Sequence, residues 1–366
     1  MKFYKRNQTR KINIGGVIIG GGEPIVVQSM TNTNTKNWKA TVKQIKQLEA
    51  VGCEIVRISL PDMESAYNVS KIKKNIKIPL VADIHFDYKI ALEAIKQGID
   101  KLRINPGNIG SKDKVEILAK EAKKAHIPMR VGVNAGSLKE VRNLFDNASR
   151  AKALADTAIE YVEVLEKHVF FDIVVSLKAS NIDTTVQAYK IFASKRNYPL
   201  HLGITESGSI FNGTIKSSVG LGIMLYDEIG DTVRLSLTAD PIEEVKVAYS
   251  LLQSLELRSS GIEIVSCPTC SRTQIDLIKI VSDMENKVTT IKNLRKLSKP
   301  IKVAIMGCVV NGPGEAKAAD FGIAGDGKDS GILFKSGEII GKVKSESWVL
   351  KLVSMIKDRL KNSLED

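Results

Sequence analysis

The sequence predicts an α/β protein in which a (β/α)8 TIM barrel is followed by a smaller α+β domain. Three observations carry that expectation. From residue 25 onward, short apolar β-rich runs alternate with amphipathic stretches of helical period, the pattern of parallel βα units. Eight such units fit within about 250 residues, the usual length of one closed barrel. The alternation stops at Arg258-Ser259-Ser260-Gly261, and three of the four cysteines lie beyond it.

The expected strands are residues 25–28, 55–58, 80–84, 102–104, 130–133, 173–177, 200–204 and 233–237. Between them run helical stripes such as Val115, Leu118, Ala119 and Ala122, and the last unit ends on Val245, Ala248, Leu252 and Leu255. No GxGxxG opens a helix after the first strand, which counts against an open dinucleotide-binding sheet. Residues 1–257 are therefore expected to form a substrate-binding barrel. A second domain, 262–366, begins with a strand at 262–265 and a helix carrying Leu277, Val281, Met284 and Val288 on one face. A strand at 301–305, short β runs between 321 and 343, and a helix over 348–360 complete it.

With 43% hydrophobic and 26% charged residues over 366 positions, the composition is that of a globular enzyme. The formal net charge of +13 admits nucleic acid, anionic lipid, an acidic protein or a phosphorylated substrate as partner, or simply lysine-rich solvated helix faces. Aromatics are only 5%, with no basic aromatic-rich recognition motif, so nucleic acid is not expected. The basic N-terminus lacks the apolar segment of a secretory signal, and no apolar run approaches the ~20 residues of a membrane span. A cytoplasmic protein with no membrane partner is expected. Four cysteines in a chain of this size also argue for a reducing compartment rather than a disulfide framework.

Barrel enzymes build their sites at the C-terminal ends of the strands. Those positions offer Gln28, Arg57, Asp83 with His85, Arg103 with Asn105, Arg130 with Asn134, Lys178, Glu206, and Arg234 with Ser236. Cations interleaved with amide and hydroxyl donors suit a small polyanion such as a diphosphate, because guanidinium forks match phosphate oxygens. Any single arginine could instead pair with a barrel carboxylate. Asp83 and Glu206 are expected inside this basic ring, where positive neighbours favour ionisation, to orient a cation or handle a proton. A lone histidine such as His85 is commonly a structural hydrogen-bonding residue.

Beyond the barrel stand Cys267-Pro268-Thr269-Cys270 and Gly307-Cys308-Val309-Val310-Asn311-Gly312-Pro313-Gly314-Glu315. A CxxC alone is shared by redox dithiols and zinc knuckles. A structural zinc site usually brings a second CxxC or a histidine pair, whereas Cys308 arrives alone. Three thiolates leave one position of a cubane cluster open or oxygen-held, and Glu315 is the nearest candidate. Cys53 reads as a buried core residue. Two other readings remain: a zinc-stapled nucleic-acid-binding protein, and a thiol oxidoreductase using Cys267 and Cys270 as its dithiol.

These motifs, with Val27-Gln28-Ser29-Met30-Thr31-Asn32-Thr33, Ala82-Asp83-Ile84-His85-Phe86 and Leu102-Arg103-Ile104-Asn105-Pro106-Gly107, carry a resemblance that runs almost end to end. The chain resembles the bacterial 4-hydroxy-3-methylbut-2-enyl diphosphate synthases, iron-sulfur enzymes of the methylerythritol phosphate route to isoprenoids. The resemblance implies a 4Fe-4S cluster held by Cys267, Cys270, Cys308 and Glu315. It implies reductive ring opening and dehydroxylation of 2-C-methyl-D-erythritol 2,4-cyclodiphosphate, with single electrons from a flavodoxin or ferredoxin. By the same resemblance Arg57, Arg103, Arg130, Asn134, Lys178, Arg234 and Ser236 hold the diphosphate, and Glu206 delivers a proton. The family also implies a homodimer in which one chain's cluster domain covers the other chain's barrel.

Overall fold

The computed structural model describes residues 5–109, 112–138, 144–259, 261–273, 275–288, 291, 294, 297, 299–310 and 318–365. Two compact units divide the chain, Met1–Arg258 and Ser259–Asp366.

The first unit opens with an antiparallel hairpin, β1 (Ile12–Ile14) and β2 (Val17–Ile19). Gly15 and Gly16 turn the chain at φ of 54° and 99°, the left-handed region that a two-residue hairpin loop requires. Apolar alternation about a Gly-Gly pair is a hairpin signal, and the expectation that strands begin at residue 25 omits it. Ile12, Ile14 and Ile19 are buried against Val26, Ile55, Val81 and Val174, near the N-terminal ends of the barrel strands. The hairpin thus forms the barrel floor.

The barrel strands are β3 (Val26–Met30), β4 (Ile55–Ser59), β5 (Leu80–Ile84), β6 (Lys101–Ile104), β7 (Met129–Asn134), β8 (Ile173–Lys178), β9 (His201–Leu202) and β10 (Thr232–Val233). They pair in the order β8-β7-β6-β5-β4-β3-β10-β9, and a parallel bridge from Val175 to Leu200 joins the two ends. The last two strands are shorter than the expected 200–204 and 233–237. The Arg234 N–H still bonds the Leu202 carbonyl at 3.0 Å, but the ladder stops there. Side chains take the space instead: a Cβ on Gly203 would stand 2.5 Å from Lys178 Nζ and 2.7 Å from the Arg234 carbonyl oxygen.

Loops lead from the strand ends into helices capped by short polar side chains. Asn37, Asp62, Asp87, Asp146, Asn181 and Asp240 each accept a backbone N–H two or three residues on. Each cap satisfies one of the donors that a helix start leaves unpaired. Outward-facing Val27, Val56, Ile58, Leu102, Ile104, Val131 and Val175 are fully buried in the core beneath those helices.

The inward face is different in kind. Arg57 pairs in register with Met30 and Val81, Arg103 with Asp83 and Arg130, Asn134 with Lys178, and His201 with Thr232. A closed parallel barrel stacks its inward side chains in layers of four from alternate strands. Above the floor this register gives Ile55, Lys101, Val174 and Thr232, and next Gln28, Val81, Arg130 and His201. The third layer is Arg57, Arg103, Ser176 and Arg234, and the next is Met30, Asp83, Gly132 and Gly203. Where branched apolar residues commonly fill such a barrel, polar and cationic ones fill this one.

The second unit is a five-stranded sheet of β11 (Ile262–Ser266), β12 (Ile301–Met306), β13 (Phe321–Gly325), β14 (Ser330–Lys335) and β15 (Glu338–Lys344), in that order. The first three strands are parallel and the last two antiparallel. Leu277 and Met284 of the helix Leu277–Val288 join its core, with Val281 and Val288 packed at the edge. The helix Trp348–Glu365 contributes Trp348, Leu352, Ile356 and Leu360 at four-residue spacing, one face of a 3.6-residue period. Among the described residues, no helix is long and apolar enough to cross a membrane.

Candidate active site

Four of the five expected cations are buried inside the barrel, Arg57, Arg103, Arg130 and Lys178, and Arg234 is half-buried. Asp83 compensates two of them. Arg103 Nη1 donates to Asp83 Oδ1 at 2.8 Å, and Arg57 Nε lies 3.6 Å from Oδ2. His85 Nε2 stands 3.6 Å from the same Oδ2. Burial would raise the Asp83 carboxyl, but Arg57, the His85 hydrogen bond and Arg103 together hold it well below the usual range. Arg57 also donates from Nε and Nη2 to Met30 Sδ at 3.2 and 3.0 Å, and burial lowers its guanidinium to about 10. Arg103 lies against Gly132, where a Cβ would stand 2.7 Å from its Nε.

Arg234 has a carboxylate partner that sequence reasoning missed. Its Nη2 and Nε bind Glu244 Oε1 and Oε2 at 3.0 and 3.2 Å, and its Nη1 donates to Ser236 Oγ at 2.7 Å. Glu244, only 3% exposed, also accepts from Ser29 Oγ at 3.0 Å and from the Leu237 N–H at 3.1 Å. For this arginine the pairing with a barrel carboxylate is the observed arrangement. A signal was present, since Glu244 sits on the buried stripe of the helix Pro241–Ser254 with Pro241, Val245, Ala248 and Leu252. A charge at a core position of a helical period demands a partner.

Arg130 and Lys178 have no such relief. Nε and Nη1 of Arg130 are buried without a hydrogen-bond partner, and Lys178 Nζ has none among the described residues. Burial lowers both groups well below their ordinary values. For Arg130 the nearby Arg57 and Arg103 add to it, and for Lys178 the cations Arg130, Arg57, Arg234 and Arg103. Asn134 is half-buried beside Lys178 in the β7–β8 register. The interior is a pocket of positive charge that an anion would relieve.

Glu206 departs from expectation. It is exposed, on the loop between β9 and the helix Ile210–Tyr226, at φ of 54°. The ring therefore contains Asp83 and Glu244 rather than Asp83 and Glu206, because β9 ends at Leu202 and the chain has left the barrel wall by residue 206. Lys101 and His201, whose side chains are fully buried in the lower layers, were likewise not foreseen. A lysine on an otherwise apolar strand was the available signal for the first.

In the second unit, β11 and β12 are adjacent and parallel, with Ser266 opposite Ile305, so Cys267 and Cys308 leave the sheet at the same edge. The Gly307 N–H donates to Cys267 Sγ at 3.2 Å. Cys270 is exposed, its thiol lowered mainly by a backbone hydrogen bond from Arg272, and its own N–H donates to Thr273 Oγ1 at 3.3 Å. No disulfide involves any of the cysteines. Among the described residues the three sulfurs are not drawn into a closed group of metal ligands, and Glu315 lies outside those residues. What the sheet does fix is the common edge, with the Gly307 N–H directed at one sulfur. Cys53 is 3% exposed, bonds the Ile55 carbonyl at 3.1 Å, and belongs to the barrel core.

Residues 9–249 match the GcpE TIM-barrel domain family, and residues 263–358 match the GcpE protein C-terminal domain family. A 4-hydroxy-3-methylbut-2-en-1-yl diphosphate synthase (flavodoxin) of Clostridium acetobutylicum is 54% identical over 353 residues, covering 96% of this chain and 99% of that one. The protein of the same name from Thermodesulfovibrio yellowstonii is 53% identical over 356 residues, covering 97% and 100%. The chain belongs to the 4-hydroxy-3-methylbut-2-en-1-yl diphosphate synthase family. Among solved structures, the synthase-family barrel is similar to dihydropteroate synthases. That of Stenotrophomonas maltophilia gives a TM-score of 0.53 at 12% identity, covering 68% of this chain and 98% of the other. That of Yersinia pestis gives 0.52 at 12%, covering 67% and 98%. At that identity the likeness is one of fold.

Along the helix Ile210–Tyr226, Phe211, Ile215, Val219 and Ile223 recur every four residues and are exposed, while Gly213, Ser217, Gly220 and Leu221 face inward. A helix apolar on both faces has a second surface to cover.

Proposed function

We propose that this chain carries out the synthase family's reaction, the reductive ring opening and dehydroxylation of 2-C-methyl-D-erythritol 2,4-cyclodiphosphate to 4-hydroxy-3-methylbut-2-enyl diphosphate. The observation that carries the reading is the set of buried basic side chains in the barrel interior. Arg130 and Lys178 are buried above a closed floor with no carboxylate hydrogen-bonded to either, and a diphosphate supplies what they lack. Arg57 and Arg103, already oriented by Asp83, present their remaining donors to the same anion. Asn134 adds an amide beside Lys178. Arg234, neutralised by Glu244, serves mainly to hold Ser236 in place for a phosphate oxygen. Glu206, exposed on the β9 loop, would relay a proton from solvent to the departing hydroxyl.

The second unit is the electron-transfer domain in this reading. Cys267, Cys270 and Cys308, with Glu315 as a fourth ligand, would hold a 4Fe-4S cluster, which supplies single electrons and a Lewis-acidic iron. The donor set fits in its chemistry, being three free thiols, two of them following adjacent parallel strands at one sheet edge, with a backbone N–H on Cys267 Sγ. A reduced flavodoxin, as in the names of the relatives, or a ferredoxin delivers the electrons. The exposed stripe on the helix Ile210–Tyr226 supports a homodimer.

The test is anaerobic purification with iron and sulfide analysis, followed by turnover of the cyclodiphosphate with reduced flavodoxin. Cluster content near four irons per chain with product formation is expected. A chain that reconstitutes no cluster, or that reduces nothing when loaded, would overturn the reading. Lys178→Ala is expected to raise KM for the cyclodiphosphate while leaving the absorption spectrum of the loaded protein unchanged.

A further inference from the structure

Arg57, Arg103 and Arg234 share one layer of the barrel, yet their partners differ in kind. Arg103 is held by Asp83 at 2.8 Å, and Arg234 lies in the two-oxygen grip of Glu244 at 3.0 and 3.2 Å. Arg57 instead directs Nη2 and Nε at the thioether of Met30, at 3.0 and 3.2 Å. Asp83 Oδ2, its carboxylate neighbour, stands 3.6 Å from Nε and equally far from His85 Nε2. Two donors of a guanidinium only 8% exposed thus end on sulfur, one of the weakest acceptors a side chain offers.

The place of Met30 gives that pairing a consequence. β3 and β4 run parallel with Met30 opposite Arg57, and Met30 belongs to the next layer, towards the C-terminal ends of the strands. It is half-buried where Arg57 is buried, so an anion entering from that end meets the thioether first. A bond from N–H to sulfur yields readily to a charge-assisted bond with a phosphate oxygen, which is about twice as strong as a neutral one. A carboxylate at position 30 would neutralise Arg57, and an amide would hold the same two N–H groups on oxygen. An aliphatic side chain would leave both donors buried and unmet in the empty barrel.

We propose that Met30 is a positioning residue for the diphosphate, a displaceable acceptor that keeps the Arg57 guanidinium aimed without neutralising it until a phosphate oxygen takes the place of sulfur. The inference rests on the proposed reading of the barrel as a diphosphate site and adds to it a residue that acts through Arg57. Packing at the barrel mouth is the competing role for Met30. Packing depends on the shape of the side chain, whereas positioning depends on its strength as an acceptor.

The experiment therefore compares the full chain with Met30→Gln and Met30→Leu, which stay close to methionine in volume and differ as acceptors. Inorganic pyrophosphate is the probe, titrated by calorimetry. Met30→Gln is expected to bind it about tenfold more weakly, the effect of one stronger hydrogen bond to be broken first. Met30→Leu should stay within about threefold of the parent chain, because nothing competes for Arg57. With the cyclodiphosphate, Met30→Gln should raise KM by the same factor and leave kcat and the absorption spectrum of the loaded protein unchanged. Equal weakening in both variants, or pyrophosphate affinity in Met30→Gln equal to that of the parent, overturns the proposal. Should Met30→Gln fail to fold, crystals of the unsubstituted chain soaked in pyrophosphate decide: Arg57 is expected on a phosphate oxygen, and Arg57 still on Met30 Sδ overturns the proposal. Pyrophosphate bound by none of the chains overturns the diphosphate reading itself, so the two failures are distinguishable.

Discussion

Glu244 grips Arg234 through two hydrogen bonds of 3.0 and 3.2 Å while nearly excluded from solvent. The helix Pro241–Ser254 is thereby tied to the inward face of the barrel, since the same carboxylate also holds Ser29 and the Leu237 N–H. Removing one partner of such a pair leaves the other charge uncompensated. Glu244→Ala is expected to cost about 3–5 kcal/mol of stability, measured by urea unfolding. It should also raise KM, because Arg234 no longer holds Ser236.

Gly203 is a steric requirement. An added Cβ meets Lys178 Nζ, which can move, and the Arg234 carbonyl, which cannot without shifting β10. Gly203→Ala is expected to lose about 1–3 kcal/mol and to weaken substrate binding at least as much as Lys178→Ala does. Isothermal titration with the cyclodiphosphate compares the two variants directly.

Asp83 sets an acid limb in the stability curve. Its folded pKa is depressed, so its contribution is fully present above the unfolded carboxyl value of about 4 and is lost as pH falls from there toward the folded value. Asp83→Asn is expected to be less stable at pH 7. From pH 5 to pH 3 it should lose less than the parent chain, because the variant has no proton to take up at this position. Urea midpoints at three pH values give the comparison.

The four thiols should divide three to one. Burial pushes the Cys53 thiol up to about 12, leaving almost no thiolate at neutral pH. Cys267, Cys270 and Cys308 are partly or fully accessible. In the metal-free chain three thiols are expected to react with a disulfide reagent within minutes and the fourth only on unfolding. Mass spectrometry of the modified chain identifies the protected residue.

In the proposed homodimer, Ile215→Glu places a charge in the exposed stripe of the helix Ile210–Tyr226 and is expected to shift the chain from dimer to monomer in sedimentation velocity. The far-ultraviolet spectrum should not change, because the substituted side chain lies on the face away from Gly213, Ser217 and Gly220.

Much of this was legible beforehand. The eight strands announced themselves because a parallel strand buried on both faces reads as an apolar run, and a cation inside such a run, as at Arg57 or Arg103, stands out. The hairpin at residues 12–19 is short, and its only marks are Gly15-Gly16 and a brief alternation. Glu244 was hidden for a different reason. A glutamate in the first turn of a helix is also what the helix dipole favours, so its second role as a core partner shows only when the barrel closes and brings it beside Arg234. The exposure of Glu206 depends on where the β9 ladder ends, which is decided by Lys178 filling the space at Gly203, a contact far apart in sequence.

The hairpin floor has a kinetic consequence. Among the described residues, Ile12, Ile14 and Ile19 stop one end of the barrel, so what is bound in the interior enters and departs at the other end. Product and fresh substrate then contend for the same passage. Inhibition by product should therefore be competitive with the cyclodiphosphate, and the residence time of the product sets an upper limit on turnover however fast electrons are supplied.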